Sequence, residues 1–242
     1  MAFIRQFDCV ECHEGEPLRV IISGAPSIPG QSVYDKCKWL EENDDQIRLM
    51  MLREPRGIPA TCANLIVNTN RPDCEAGYII MEQVEYPMMS GGNTIAVATA
   101  LLETGQVKMT GPVTEFNLEA PAGLIHIVAE CDMERRKVTK VSFENVPAFP
   151  VYLDTEIDVP HVGKVKVDIA WGGMFYCLID STQFKQYGPD GLELIPKNGR
   201  EISKLSSLIT TAAIEQLPVA HPDYPGVGIT LSLIHISEPT RH

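Results

Sequence analysis

The sequence predicts an α+β fold in which short strands form a barrel-like sheet around one buried helix. Three observations predict it. Residues 94–104 are apolar on nearly every side of a helical wheel (Ile95, Ala96, Val97, Ala98, Ala100, Leu101, Leu102), a pattern that buries a helix instead of laying it on a surface. A series of short β-branched segments follows, punctuated by Pro and Gly. A break in composition at Phe149-Pro150 then separates a first domain, residues 1–149, from a second unit, residues 150–230.

The elements follow in chain order. Residues 3–23 alternate and end in Leu18-Arg19-Val20-Ile21-Ile22, which reads as strand, and Pro26, Pro29 and Gly30 mark a turn. Residues 32–51 place Val33, Trp39, Leu40, Ile47, Met50 and Met51 at helical spacing with acidic residues between them, so one or two surface helices are expected, closed by Glu54-Pro55-Arg56-Gly57. Short strands at 65–67 and 77–81 flank the turn-forming Asn70-Arg71-Pro72-Asp73. The buried helix comes next, with Gly105 as its stop. Strands are expected at 113–119, 124–129, 138–144, 151–159, 164–170 and 174–180, then a helix near 200–215.

Composition narrows the function. A formal net charge of −12 argues against nucleic-acid or anionic-membrane partners, which need a basic footprint. No apolar run has the length of a membrane span and the first residues lack the order of a signal peptide, so a cytoplasmic location is expected. Seven scattered cysteines fit free thiols in a reducing compartment. Cys9-Val10-Glu11-Cys12-His13 matches the form of covalent haem attachment, and Cys-x-x-Cys also occurs at redox and zinc sites. Haem attachment goes with export and zinc needs a second ligand pair of suitable spacing, so no cofactor and no metal are expected. The Gly-rich phosphate loops of nucleotide enzymes are also missing from the sequence.

The segment that carries chemistry is Pro87-Met88-Met89-Ser90-Gly91-Gly92-Asn93-Thr94, which opens the buried helix. The first N–H groups of a helix have no intrahelical partner, the macrodipole is positive there, and glycines admit a carboxylate to the backbone. Ser90 is therefore the candidate catalytic residue at the lip of an anion site, and Gly91, Gly92 and Asn93 are the candidate substrate-binding residues. The plain alternatives are an ordinary N-cap for Ser90, a tight turn for the glycines, and capping or packing for Asn93 and Thr94. His13 and His221 are expected to be structural or near the mouth of the site.

Seven separated segments in one order resemble the proline racemase superfamily, which contains proline racemases, hydroxyproline 2-epimerases and trans-3-hydroxy-L-proline dehydratases. They are residues 12–20, Glu54-Pro55-Arg56-Gly57, the Ser90 motif, Ala120-Pro121-Ala122-Gly123-Leu124, Asn145-Val146-Pro147-Ala148-Phe149, residues 167–173, and His221-Pro222. The resemblance implies a diaminopimelate-epimerase-like fold of two similar domains, each a barrel-like sheet around a central helix. It also implies a cofactor-independent enzyme acting at Cα of a small imino acid, with two residues, commonly cysteines, on opposite faces of the ring, and it leaves room for a homodimer. Here the first cysteine position holds Ser90, and a neighbouring position often held by histidine holds Gly92. A serine hydroxyl is far harder to ionise than a thiol, which weakens the case for a symmetric two-base racemase. Dehydration of trans-3-hydroxy-L-proline needs one proton abstraction and the loss of a hydroxyl, so the dehydratase is the expected activity, with epimerase or racemase as the alternative.

The second catalytic segment of that family is not found in the sequence, and the resemblance stops near Thr230. Residues 231–242 resemble instead the translation of a transposase-type sequencing adapter, so the tail is expected to be non-native and His235 and His242 are given no functional weight. The corresponding expectation is an incomplete second domain and a fragment or binding module with little or no turnover.

Overall fold

The computed structural model describes residues 5–230 and the backbone of residues 234–236. The chain divides into two compact units, Met1–Val146 and Pro147–His242.

The first unit is built on a seven-stranded sheet of order β1-β2-β3-β4-β5-β6-β7, formed by β1 (Asp8–Glu14), β2 (Glu16–Ser23), β3 (Cys62–Val67), β4 (Ala76–Met81), β5 (Val113–Ala120), β6 (Gly123–Asp132) and β7 (Lys137–Glu144). The pattern over 3–23 is not one strand. Gly15, at φ 75°, turns the chain so that Glu14 pairs with Glu16 and β1 folds back antiparallel on β2. Two pairs in the sheet are parallel, β2 with β3 and β4 with β5, and each needs a crossover. The first crossover carries helices α1 (Val33–Asn43) and α2 (Gln46–Leu52), and the second carries α3 (Gly91–Glu103).

Helix α1 starts where Ser32 and Asp35 form a capping box: the Ser32 hydroxyl accepts from Asp35 N–H and the Asp35 carboxylate accepts from Ser32 N–H. Its inner face, with Val33, Cys37 and Leu40, packs with Ile47, Met51 and Leu52 of α2 against Ile21, Leu65, Ile79 and Met81 of the sheet. The carboxylate of Glu119, buried on β5, accepts from Val33 N–H and from the Thr69 hydroxyl, which ties the start of α1 to the far side of the crossover.

Helix α3 lies in the hollow of the sheet. It packs against β1, β2, β3 and also β7, so the first and last strands of the row both reach it and the sheet curls into a half-barrel. Asn93, Thr94, Ala96, Val97, Ala98, Ala100, Leu101 and Leu102 are all buried, as a helix apolar on nearly every side requires. The small residues keep the helix close to the strands.

The second unit contains β8 (Phe149–Val159), β9 (Gly163–Trp171) and β10 (Phe175–Asp180), with the backbone of β11 (Ile234–Ile236) parallel to β10, and helix α4 (Gly199–Gln216) packed on β8. Phe149, Trp171, Phe175, His221 and Tyr224 form an aromatic cluster here, with the His221 ring 4.4 Å from Trp171 and 4.6 Å from Tyr224 between centroids. Of the tail read as adapter-like, residues 231–233 and 237–242 lie outside the described residues. Among the described residues no helix is long and apolar enough to cross a membrane.

Candidate active site

The candidate site is the N-terminus of α3. Ser90 holds the N-cap position in an extended conformation (φ −149°, ψ 129°), yet its side chain makes no capping hydrogen bond. The helix starts at Gly91, three residues earlier than the apolar pattern suggested, because Ser90 and the two glycines form the start of the first turn. The Ser90 hydroxyl oxygen instead accepts from Asn93 Nδ2 at 2.9 Å. The ordinary N-cap is thus not the arrangement adopted.

Three further contacts fix the same turn. The Ser90 carbonyl accepts from Thr94 N–H at 3.0 Å and from the Thr94 hydroxyl at 2.7 Å, and the buried Tyr78 hydroxyl lies 2.6 Å from Thr94 Oγ1. Met88 is held by its carbonyl, which accepts from Ala122 N–H at 3.0 Å, so the Ala120-Pro121-Ala122-Gly123 turn braces the approach to the site. The N–H groups of Gly91, Gly92 and Asn93 have no intrahelical acceptor and carry the positive end of the helix dipole. That is a backbone donor set suited to a carboxylate.

The two glycines are close-packed from outside. A Cβ at Gly91 would stand 3.2 Å from the Phe143 ring, and one at Gly92 would stand 2.8 Å from Glu14 Oε2. Glu14 therefore lies over the helix start, and any larger residue at 92 requires that carboxylate to move.

Ser90 is half-buried, Gly91 and Gly92 likewise, and Asn93 is fully buried with its side-chain amide turned to Ser90. Beneath it Asn64 of β3, also fully buried, donates from Nδ2 to Asn93 Oδ1 at 2.6 Å. Cys62, two residues earlier, is in the same surroundings, and burial pushes its thiol up to about 12. Glu82, just past β4, is pushed up to about 7 by burial and by the nearby carboxylates of Glu85 and Glu16. Asn64, Cys62 and Glu82 were not singled out by the sequence, and Glu14 entered only within the segment 12–20; an Asn in the middle of an apolar strand was a further signal there to read.

His13 is exposed on β1. His221 belongs to the aromatic cluster of the second unit, where burial lowers its pKa and favours the neutral ring. Cys9 and Cys12 are three apart on extended β1, so their side chains leave opposite faces of the strand.

The sequence model of the family described as proline racemase matches residues 9–242. A 4-hydroxyproline 2-epimerase from Rhizobium etli is 36% identical over 231 residues, covering 94% of this chain and 65% of the relative. A proline racemase from Clostridioides difficile is 35% identical over 243 residues, covering 100% of this chain and 70% of the relative. Among solved structures, a hydroxyproline epimerase from Agrobacterium vitis with bound trans-4-hydroxy-L-proline superposes with a TM-score of 0.84 at 34% identity, over 94% of this chain and 65% of that one. A probable proline racemase from Agrobacterium radiobacter K84 with bound carbonate gives 0.83 at 34% identity, over 92% of this chain and 64% of that one. The chain spans about two thirds of the length of these relatives.

Proposed function

Because the chain belongs to the proline racemase family, we propose that it takes part in proton transfer at Cα of a proline or hydroxyproline, with Ser90 as the acid/base position and no cofactor. The observation that carries this reading is the N-terminus of α3: Ser90 stands at the N-cap without capping, its oxygen held by Asn93, next to three backbone N–H groups that have no intrahelical acceptor. A Cα proton beside a carboxylate is very weakly acidic. Its removal needs donors aimed at the oxygens that gain charge as the carboxylate takes on enolate character, and a proton acceptor held on the correct face of the ring. Gly91, Gly92 and Asn93 would supply those N–H donors, and Ser90 would stand at the acceptor position.

The finer reading is dehydration of trans-3-hydroxy-L-proline. Proton loss at Cα and departure of the 3-hydroxyl release water and leave an enamine, which tautomerises to pyrroline-2-carboxylate. A serine in place of a thiol favours this, since elimination has no obligatory reprotonation from the other face. The second reading is epimerisation of hydroxyproline, favoured by the relatives that carry that name.

The test is incubation of the chain with trans-3-hydroxy-L-proline, trans-4-hydroxy-L-proline and L-proline in deuterated buffer, followed by NMR. Exchange of the Cα proton needs one positioned base and is read first. Imine from the 3-hydroxy substrate supports the dehydratase, and inversion of the 4-hydroxy substrate supports the epimerase. S90A is expected to lower the rate of Cα exchange by a factor on the order of 10² or more. Absence of exchange, imine and inversion with all three compounds sinks the reading.

A further inference from the structure

Asn64 sits where a sheet has least use for an amide. It is central in β3 (Cys62–Val67), in register with Val20 of β2 on one side and Ile80 of β4 on the other, and it has no solvent exposure. Burying an amide is unfavourable unless its donors and acceptor are met, and Asn64 Oδ1 has no hydrogen-bond partner. An unsatisfied buried group of this kind calls for an explanation other than stability.

Its contacts set a direction. Asn64 Nδ2 donates to Asn93 Oδ1 at 2.6 Å and lies 3.5 Å from the Arg19 carbonyl oxygen. With its oxygen engaged there, the Asn93 amide turns Nδ2 towards Ser90 Oγ, 2.9 Å away. Reversing both amides would set Asn64 Oδ1 against the Arg19 carbonyl and would strand a buried NH2 group in place of one oxygen. The drawn direction is therefore the better one, and in it the Ser90 oxygen accepts.

We propose that Asn64 is a positioning residue for Ser90, acting through Asn93 to keep a donor aimed at the Ser90 oxygen. An N–H aimed at that oxygen stabilises it when it carries negative charge and leaves the hydroxyl proton available for transfer. The relay runs from the sheet to the helix start, so the backbone of β3 sets the angle at which Ser90 is held. This rests on Ser90 being the acid/base position, but the relay can be tested without any substrate.

In S90C a thiol reports the same surroundings, because the thiolate is alkylated and the thiol is not. The titratable groups around this helix end, on the elements that pack against it, are Glu14 of β1, Glu16 of β2, Cys62 of β3, Tyr78 of β4 and Glu82 after β4. Cys12 of β1 and Lys137 of β7 lie by Glu103 at the opposite end of α3. All of these stay in place in every variant, so each is compared with S90C alone. The full chain is treated with iodoacetamide across a pH series, and the peptide carrying position 90 is followed by mass spectrometry.

The S90C thiol is expected to titrate below the ordinary value of ~8.5. N64L/S90C and N93A/S90C are each expected to raise it by about one unit, which slows alkylation at neutral pH about tenfold. The triple variant N64L/N93A/S90C should move no further than either double variant, since the two asparagines act along one chain. An unshifted pKa in N64L/S90C, with circular dichroism matching S90C, overturns the proposal, and so do shifts that add in the triple variant. Where N64L/S90C does not fold, N64V/S90C carries the same comparison, and an unshifted N93A/S90C overturns the relay by itself. A shift at position 90 without Cα exchange of any proline leaves the relay standing and removes the functional reading; exchange without a shift does the reverse.

Discussion

Glu82 shows how one side chain near the site couples protonation to folding. Its carboxyl is raised from 4.5 to about 7, first by burial and then by Glu85 and Glu16. Between those two values the folded chain holds a proton that the unfolded chain has released, so stability falls as pH rises from 4.5 through 7. Glu82→Gln fixes the neutral form. The variant is expected to match the parent near pH 4.5 and to exceed it at pH 8 by about 2 kcal/mol, allowing for solvent screening of a partly exposed group, as read by urea titration at the two pH values. Equal differences at both values would refute the coupling. At this scale the sequence was uneven: Ser90 and its glycines could be picked out because they form a contiguous motif at a helix start. Asn64, Glu14 and Glu82 could not, because what makes them matter is what the folded chain sets beside them: Asn93 at Asn64, Gly92 at Glu14, and burial with Glu85 and Glu16 at Glu82.

Among the elements, α1 offers the cleanest test of local sequence logic. The Ser32 and Asp35 pair satisfies two backbone groups at the helix start, and the Asp35 carboxyl is held below its ordinary range by hydrogen bonds from Ser32. Ser32→Ala is expected to cost about 1 kcal/mol in chemical denaturation and to leave the fold unchanged. In α3 the situation differs, since Ser90 does not cap and tertiary enclosure holds the helix. Ala98→Leu, which adds volume to a fully buried small position, is expected to destabilise by about 1–3 kcal/mol. The buried helix was readable from its composition, since eleven residues without a wet face have few other places to go. The β1–β2 hairpin was not, because the turn depends on a positive φ at one residue.

For the whole molecule the relevant quantity is the charge of −12 on 242 residues. Such an excess disfavours the compact state by self-repulsion, and added salt screens it. Raising sodium chloride from about 10 to 150 mM, which shortens the screening length from ~30 to ~8 Å, is expected to raise the unfolding midpoint by about 2 °C. A midpoint that falls would mean that attractive pairs, such as Arg48 with Asp45, outweigh the repulsion. Fold class followed from strand punctuation and one buried helix. Which strands close on that helix did not, because it depends on β1 and β7, at the two ends of the first unit, meeting it together.

That meeting orders events in time. As the chain leaves the ribosome, α3 can coil once residue 103 is made, but its last neighbouring strand is not complete until Glu144. The closure is long in sequence and therefore slow compared with coiling of the helix itself. Once closed, most of α3 is enclosed by those strands. Its amide hydrogens should consequently be among the last in the first unit to exchange with deuterated water, each release reporting an opening of the whole sheet.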